Sequence, residues 1–283
     1  MKKLIIVSAF FCLGLAPVAA QDDAEQGDEK VALLPQAGDF ALGVDANPFA
    51  NLFNGTQGLD LYFGDKRSLY GIYGKYFLTD KQAVRAKVLL NVTSDIDKEV
   101  VVDDSNLAQP QNLNPDATTI DSRKTSSTEV WIHLGYEWRR GYRRVQGFYG
   151  GEVMLGYGNG SRKYTYGNPI TAVNTNPTSY NFDSNLYPQT ANGYRVLERK
   201  DGATFGVGLG AFVGAEYFLA PKLSIGGEVG LGFKYYTQGQ SEVTEEYALN
   251  NSVFESARRT SGGYSSAGFG VTPYGNVFLL FHF

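Results

Sequence analysis

The chain has 283 residues with 34 glycines, 14% aromatic side chains, and 25 basic against 29 acidic residues. It has no basic excess, and its only basic cluster lies between Arg139 and Arg144, which argues against a nucleic acid as partner. The single cysteine, Cys12, lies near the N-terminus, so no disulfide framework is available. Abundant glycine with many aromatic residues favours strands and turns over helices.

The first twenty residues have the order of a secretory signal. Lys2 and Lys3 are followed by an apolar stretch over residues 4–15 and by small residues up to Ala20. The apolar stretch is shorter than the ~20 residues of a membrane-spanning helix. The sequence therefore predicts a signal peptide over residues 1–20, a flexible acidic periplasmic tail over 21–36 and a single folded domain over 37–283.

Alternation of apolar and polar residues, the signature of strands, recurs along this domain. The clearest case is Glu129–Trp138, where Val130, Ile132, Leu134, Tyr136 and Trp138 are apolar and alternate residues include charged ones. In chain order the predicted strands span 40–46, 68–78, 82–92, 129–138, 145–157, 204–218, 222–236 and 271–283. The strand count is thus eight, an even number.

The connections between these strands alternate in length. Three are tight, at 78–82, 140–143 and 219–222, whereas those at 47–66, 95–124, 161–200 and 238–262 are long and polar. Short turns at one end and long loops at the other are typical of a transmembrane barrel of the bacterial outer membrane. The sequence predicts an all-β fold, an eight-stranded antiparallel up-and-down β-barrel with long extracellular loops and short periplasmic turns.

A soluble lipocalin-like barrel or sandwich is the alternative fold. Two features weigh against it. The polar faces are rich in glycine, as at Gly206, Gly208 and Gly210, where a water-facing strand would favour Thr, Lys or Glu. Aromatic residues such as Trp138 and Tyr235 also gather near the two ends of the strands, as at the two interfaces of a membrane.

The last strand carries a specific resemblance. Leu279, Phe281 and Phe283 alternate on the predicted lipid face, while Phe278, Leu280 and His282 point inward. In this the chain resembles the small OmpA/OmpX-type outer-membrane β-barrel family. The resemblance implies that the three outward residues are the signal read by the barrel-assembly machinery. It also implies a monomer integral to the bacterial outer membrane, surrounded by lipid and lipopolysaccharide.

Charged side chains are predicted to face the bore of the barrel. An eight-stranded barrel has a bore that side chains can just fill, and buried charges need partners. We expect an ion-paired, water-containing plug that fixes the shape of the barrel; a narrow ion path is the alternative. The predicted interior network comprises Asp45, Lys75, Arg85, Lys87, Glu129, His133, Glu137, Glu152, Glu216, Glu228 and Lys234.

Catalysis and cofactor binding are not predicted. His133 lies between Glu129 and Glu137 on one strand face, but with two histidines in the chain an interior hydrogen bond is favoured over a metal site. Outer-membrane enzymes need a nucleophile and a base near the outer rim. His133 is instead in mid-strand, and His282 is at the periplasmic end. We therefore expect neither enzyme activity nor a cofactor.

The long loops remain as the candidate for function. The third loop carries aromatic side chains among Asn, Pro, Ser and Thr, a composition typical of binding loops. The candidate contact residues are Tyr164, Tyr166, Tyr180, Phe182 and Tyr187. This predicts surface interaction, namely adhesion to a host surface or docking to another outer-membrane protein. The alternatives are a solvated shield among lipopolysaccharide headgroups, a narrow ion or small-solute channel, and an accessory component of an export machine.

Overall fold

Strands account for nearly all regular structure in the computed structural model. It describes residues 33–45, 70–107, 116–183, 186–190, 194–250 and 252–283. Within these ranges, the side chains of residues 45, 70, 106–107, 142, 186–190 and 268–276 are not described, only their backbone. The predicted signal peptide and most of the predicted tail lie outside these ranges. No helix among the described residues is long and apolar enough to cross a membrane.

Thirteen strands and one helical turn are present within these ranges. In chain order they are β1 (Phe40–Asp45), β2 (Tyr70–Thr79), β3 (Gln82–Val102), α1 (Asp104–Leu107), β4 (Thr118–Tyr142), β5 (Val145–Thr165), β6 (Thr178–Asn181), β7 (Leu186–Thr190), β8 (Tyr194–Lys200), β9 (Thr204–Ala220), β10 (Leu223–Gln238), β11 (Glu242–Leu249), β12 (Ser252–Arg259) and β13 (Tyr264–His282). The predicted all-β class is confirmed.

Eight of these strands form a closed antiparallel ring. The order around the ring is β1, β2, β3, β4, β5, β9, β10 and β13. Pairing of β1 with β13, from Ala41 opposite His282 to Asp45 opposite Phe278, closes it. The predicted antiparallel ring of eight strands is confirmed.

The short turns lie at one end of the ring. Those between β2 and β3 and between β9 and β10 lie where predicted, with Asp80–Lys81 and Pro221–Lys222 at their tips. The turn predicted at 140–143 is wrong, because β4 continues to Tyr142 and the tip is Arg143–Arg144. Buried ion pairs of Arg139 keep this part of β4 in the ring.

Three ring strands continue far beyond the opposite end. The outer parts of β3 and β4 stay paired up to Val102 opposite Thr118, and β5 continues alongside β4 to Thr165. Strands β8, β11 and β12 add to the edge of β5, which gives a sheet in the order β3, β4, β5, β8, β11, β12. We call this the extracellular sheet. The predicted loops at 95–124, 161–200 and 238–262 are therefore wrong as loops, because large parts of them are strand.

The outward face of the ring is apolar and has aromatic rings at both ends. Near the short turns Trp138 contacts Tyr136 and Tyr149, with ring centroids 4.8 and 5.7 Å apart. At the other end Tyr157 contacts Phe205 at 5.3 Å. Between them alternate residues such as Leu134 and Val153 are exposed. An exposed apolar band between two aromatic rows is the pattern of a lipid-facing barrel wall.

Candidate functional site

The bore contains one ion-pair cluster near the short turns, which we call the lower cluster. Lys75, Glu137, Arg139 and Glu216 are all buried, and two basic groups face two acids. Arg139 lies 2.6 Å from both Glu137 and Glu216. Lys75 lies 3.0 Å from Glu137 and also bonds to Glu216. Three ring strands, β2, β4 and β9, are thereby tied together through the bore.

A second set of charges lies further along the bore, and we call it the middle cluster. It contains Arg85, Lys87, His133, Glu152 and Glu228, all of them buried. Arg85 bridges Glu228 at 2.7 Å and Glu152 at 2.9 Å, and Lys87 lies 2.9 Å from Glu228. His133 Nδ1 is 2.7 Å from Glu152 Oε1. The structure thus brings eight of the eleven predicted interior residues into two clusters.

Aromatic side chains fill the space around both clusters. Phe77, Phe148, Phe212 and Phe278 are buried together with Tyr73. The Arg85 guanidinium lies 3.6 Å from the centre of the Phe212 ring, and Lys75 Nζ lies 4.4 Å from that of Phe148. Sequence reasoning missed most of these rings, and it missed Arg139 because the predicted strand ended at Trp138, one residue earlier.

Above the middle cluster the bore widens toward the extracellular sheet. Glu129 and Lys234, both half-buried, contact Trp131: Nε1 of Trp131 donates to Glu129 at 3.1 Å, and Lys234 Nζ lies 4.8 Å from the ring centre. Trp131 and Tyr236 form the floor of a cavity of about 560 Å³ lined by glycines and polar residues. We call this cavity the outer vestibule. The side chain of Asp45, the remaining predicted member, lies outside the described residues.

The predicted contact residues of the third loop pack largely against their own neighbours. Tyr164 and Phe182 are buried, and Tyr166 and Tyr180 are half-buried. The Tyr164 hydroxyl donates to Asp183 at 3.0 Å, and the Arg195 guanidinium lies 4.2 Å from the centre of the Tyr166 ring. Burial raises the pKa of Tyr166 and of Tyr164 above their usual range. A contact role for these residues stays a prediction; the side chain of Tyr187 lies outside the described ranges.

Buried polar side chains hold this loop against the extracellular sheet. The carboxylate of Asp121, on β4, accepts from the backbone amides of Gly167 and Tyr180 at 2.8 Å each. Asn168 donates to the carbonyls of Val102 and Thr178 at 2.7 and 2.9 Å. These residues were missed at the sequence level because a lone Asp or Asn in a polar loop has no distinguishing pattern.

Metal ligands are not grouped in the described part of the chain. No group of three or more His, Cys, Asp or Glu residues there could hold a metal ion. His282, the other histidine, has its Nε2 2.9 Å from Ser224 Oγ and lies between the rings of Phe77 and Phe218. Both Ser224 and His282 are buried.

Comparisons with known proteins found one family model and several solved structures that match the chain. The model of a family described as "Putative OmpA-OmpF-like porin family" matches residues 56–250. Among solved structures, OprG from Pseudomonas aeruginosa is 14% identical (89% of this chain, 99% of that one, TM-score 0.36).

A major outer membrane protein from Thermus thermophilus is 15% identical (87% and 100%, TM-score 0.35). The E. coli outer membrane protein W is 12% identical (88% and 99%, TM-score 0.28). No curated protein matches the chain. With its closed ring of eight strands, the chain belongs to the OmpA-OmpF-like porin family and is a protein of the bacterial outer membrane.

Proposed function

We propose that this protein is a non-catalytic barrel whose extracellular sheet contacts a partner at the cell surface, in adhesion or in docking to another outer-membrane protein. The observation that carries the proposal is the continuation of β3, β4 and β5 from the ring into a six-stranded sheet. A rigid sheet raised on a membrane barrel is suited to present a recognition surface.

The bore supports a scaffold role. Both ion-pair clusters and the phenylalanines around them are buried, so the described side chains occupy most of the cross-section beside them. Paired charges and close-packed rings resist deformation, because separating them would leave buried charges without partners or open a cavity. We infer that this interior stiffens the base of the extracellular sheet.

The far edge of the sheet is the favoured contact surface. All eight residues of β12 are exposed, and among the described strands β12 is paired only with β11. An edge strand presents unpaired backbone amides and carbonyls that an extended segment of a partner can bind. Val253 and Phe254 add exposed apolar side chains to this edge.

Removal of the β11–β12 hairpin tests the proposal. Gln238 and Tyr264 face each other at the hairpin base, so residues 240–262 can be replaced by Asn-Gly without disturbing the ring. We expect binding of expressing cells to host matrix, or recovery of a stable envelope partner by mild detergent extraction, to be lost. Unchanged binding by a variant whose barrel migrates normally on a heat-modifiability gel would contradict the proposal.

A narrow channel is the second candidate function. It is favoured by the porin family and by the outer vestibule, which leads from the extracellular end to Trp131. In planar bilayers, reproducible openings whose size or selectivity changes in Arg85→Gln or Glu216→Gln would favour a channel. Their absence, with loss of surface binding in the hairpin deletion, would favour the docking role.

The absence of catalysis is part of the proposal. The Ser224–His282 pair has the donor and acceptor types of a nucleophile and its base, but both residues are buried between aromatic rings. A catalytic pair must be reachable by substrate. We expect purified protein to show no esterase turnover above that of Ser224→Ala, measured with a short-chain nitrophenyl ester.

A further inference from the structure

The two faces of the extracellular sheet differ in charge. In the outer parts of β3, β4 and β5, over 92–102, 118–128 and 159–165, one face continues the lipid-facing rows and the other continues the bore-facing rows. We call them the outward face and the axial face. The outward face carries Lys98, Lys124 and Lys163 without an acid. The axial face mixes both signs, with Asp95, Asp97, Glu99 and Asp121 beside Arg123 and Arg162.

The three lysines are close together, and an acid lies directly opposite only one of them, Lys163. Lys124 lies directly opposite Lys163 in the β4–β5 register, and Lys98 is diagonal to Lys124, which faces Ile96. All three are exposed, and none forms an ion pair within the described residues. On β8, Glu198 faces Lys163 but lies 3.3 Å from Lys200, another exposed lysine. Like charges directly opposite on a sheet are unfavourable unless an anion offsets them.

The height of this group above the membrane can be estimated from β5. Tyr157 marks the outer aromatic row, and Lys163 lies six residues beyond it on the same face. At ~3.4 Å per residue and a strand tilt of ~40°, Lys163 is about 15 Å above Tyr157. This is above the acyl chains, at the level of headgroups and the sugars next to them.

The other residues of the outward face suit a sugar-phosphate layer. Ser94, Ser122, Ser126 and Ser161 surround the lysines and offer hydroxyls, and Ile96 is an exposed aliphatic side chain among them. The acids on the axial face are turned away from any surrounding lipid, and Asp97 is paired with Arg123 at 2.9 Å. An anionic headgroup would thus meet bases and hydroxyls on this face and no carboxylate in its three strands.

We propose that Lys98, Lys124 and Lys163 bind the phosphate groups of lipopolysaccharide in the outer leaflet. One phosphorylated headgroup would lie across β3, β4 and β5 and relieve the repulsion between Lys124 and Lys163. The binding holds the outward face against the glycolipid layer, so that the axial face and the β12 edge stay turned toward the barrel axis and the medium. This interaction is independent of any partner at the β12 edge.

Titration of the full chain in detergent micelles with rough lipopolysaccharide carrying both lipid A phosphates tests the proposal. The Lys98→Gln/Lys124→Gln/Lys163→Gln variant should bind at least about tenfold more weakly at low salt. The affinity of this variant should also fall less steeply with added salt, because three cationic contacts are gone. The corresponding triple arginine variant should bind like the natural chain.

A matched control removes three charges from the opposite end. Lys81, Lys222 and Arg140 are exposed near the short turns, and their glutamine variant should keep full affinity. Dephosphorylated lipopolysaccharide should bind the natural chain as weakly as the phosphorylated form binds the lysine variant. Equal affinity of natural chain and lysine variant, equal loss in the control, or competition by inorganic phosphate alone at millimolar concentration would overturn the assignment to this glycolipid.

Discussion

At the residue scale, Trp131 shows how the bore is filled by pairing one large side chain with glycines. A methyl group added to Gly156 would lie 2.6 Å from the Trp131 ring, and one added to Gly206 would lie 2.5 Å from the same ring. At Gly158, two residues further on the same face, the nearest atom would be 3.7 Å away. Glycine is therefore required at Gly156, whereas Gly158 has room for a methyl group.

We expect Gly156→Ala to lower the free energy of unfolding by about 1–3 kcal/mol, since the ring must move or the strand must bend. Gly158→Ala should change it little. Adding Trp131→Phe to Gly156→Ala should restore part of the loss. Urea titration in lipid vesicles measures all three, and equal effects of the two alanine variants would contradict the fit described here.

The lower cluster makes a second residue-scale prediction. Glu216→Gln leaves Lys75 and Arg139 sharing the single charge of Glu137 in a buried site. Breaking a buried ion pair in this way costs about 3–5 kcal/mol. The matched control, Glu245→Gln, breaks the exposed contact with Arg258 and should leave the urea midpoint nearly unchanged. A similar small shift in both variants would show that the lower cluster is not stabilising.

At the element scale, the join between β1 and β13 is the place where the barrel closes. The ring of Phe283 stacks on that of Phe40 at 4.9 Å, and Phe283 N donates to Phe40 O at 2.8 Å. The terminal phenylalanine therefore stabilises the closed ring in addition to any role as an assembly signal.

Comparison of Phe283→Ala with Phe40→Ala separates the two roles. Both remove the stacked pair and should lower the free energy of unfolding by about 0.5–1.5 kcal/mol beyond the loss of buried area. If Phe283 is also the assembly signal, only Phe283→Ala should reduce the amount of folded barrel in outer membranes, measured by the heat-modifiability shift. Equal reductions by both would indicate a closure role alone.

The role of Asp121 in holding the third loop against the extracellular sheet can be tested by substitution. In Asp121→Asn one of the two backbone amides loses its acceptor and the other keeps only a neutral one. Hydrogen bonds to charged groups contribute about 1.5–3 kcal/mol each. We expect limited chymotrypsin digestion to cut at Tyr180 or Phe182 several-fold faster, with the ring intact. The control is Asp95→Asn on exposed β3; if that change accelerates cleavage as much, Asp121 does not hold the loop.

The sequence predicts the membrane part of the strands well and their outer parts poorly, for a physical reason. Between the aromatic rows one face meets lipid, so Leu134 and Val153 contrast with His133 and Glu152. Beyond Tyr157 neither face meets acyl chains, and β3 reads Ser94, Asp95, Ile96, Asp97, Lys98 with no strict apolar alternation. Backbone pairing, which composition does not encode, forms these strands.

In the candidate site, too, the sequence predicts some features and leaves others to the structure. The alternation of strand residues predicts that Lys75, Arg85 and Glu228 face the bore, because alternate residues of a strand point the same way, and all three are buried in the structure. The alternation does not tell which interior residues meet, since that depends on the stagger between strands. The contacts of Arg85 with Glu152 on β5 and Glu228 on β10 cross the bore and could be found only from the structure.

At the scale of the whole molecule, the bore is filled by aromatic rings packed around two ion-pair clusters, which Arg85 and Glu137 join at 3.8 Å. Phe148 and Phe278 are fully buried, with ring centroids 6.2 Å apart. Their combined removal would leave a cavity beside Lys75, whose Nζ lies 4.4 and 5.3 Å from the centres of the two rings.

We expect the Phe148→Ala/Phe278→Ala variant to conduct small ions in planar bilayers at a higher level than the natural chain. A cavity of this kind beside charged groups is able to hold water. The substitution Phe205→Ala, on the lipid-facing side at the outer aromatic row, is the control and should not raise conductance. No increase in the double variant would place the barrier elsewhere along the bore.

The pairing of residues 41–45 with residues 278–282 also governs how the barrel can fold. These two segments are separated by nearly the whole chain, so the barrel cannot close until β13 is available to pair with β1. Contacts between such distant parts of a sequence slow folding, and they prolong the exposure of unpaired strand edges that can aggregate. A chain that has not yet closed its barrel would leave the edge of β1 that pairs with β13 unpaired in the periplasm. We expect chaperones that bind unfolded chains to be needed to keep it from aggregating there.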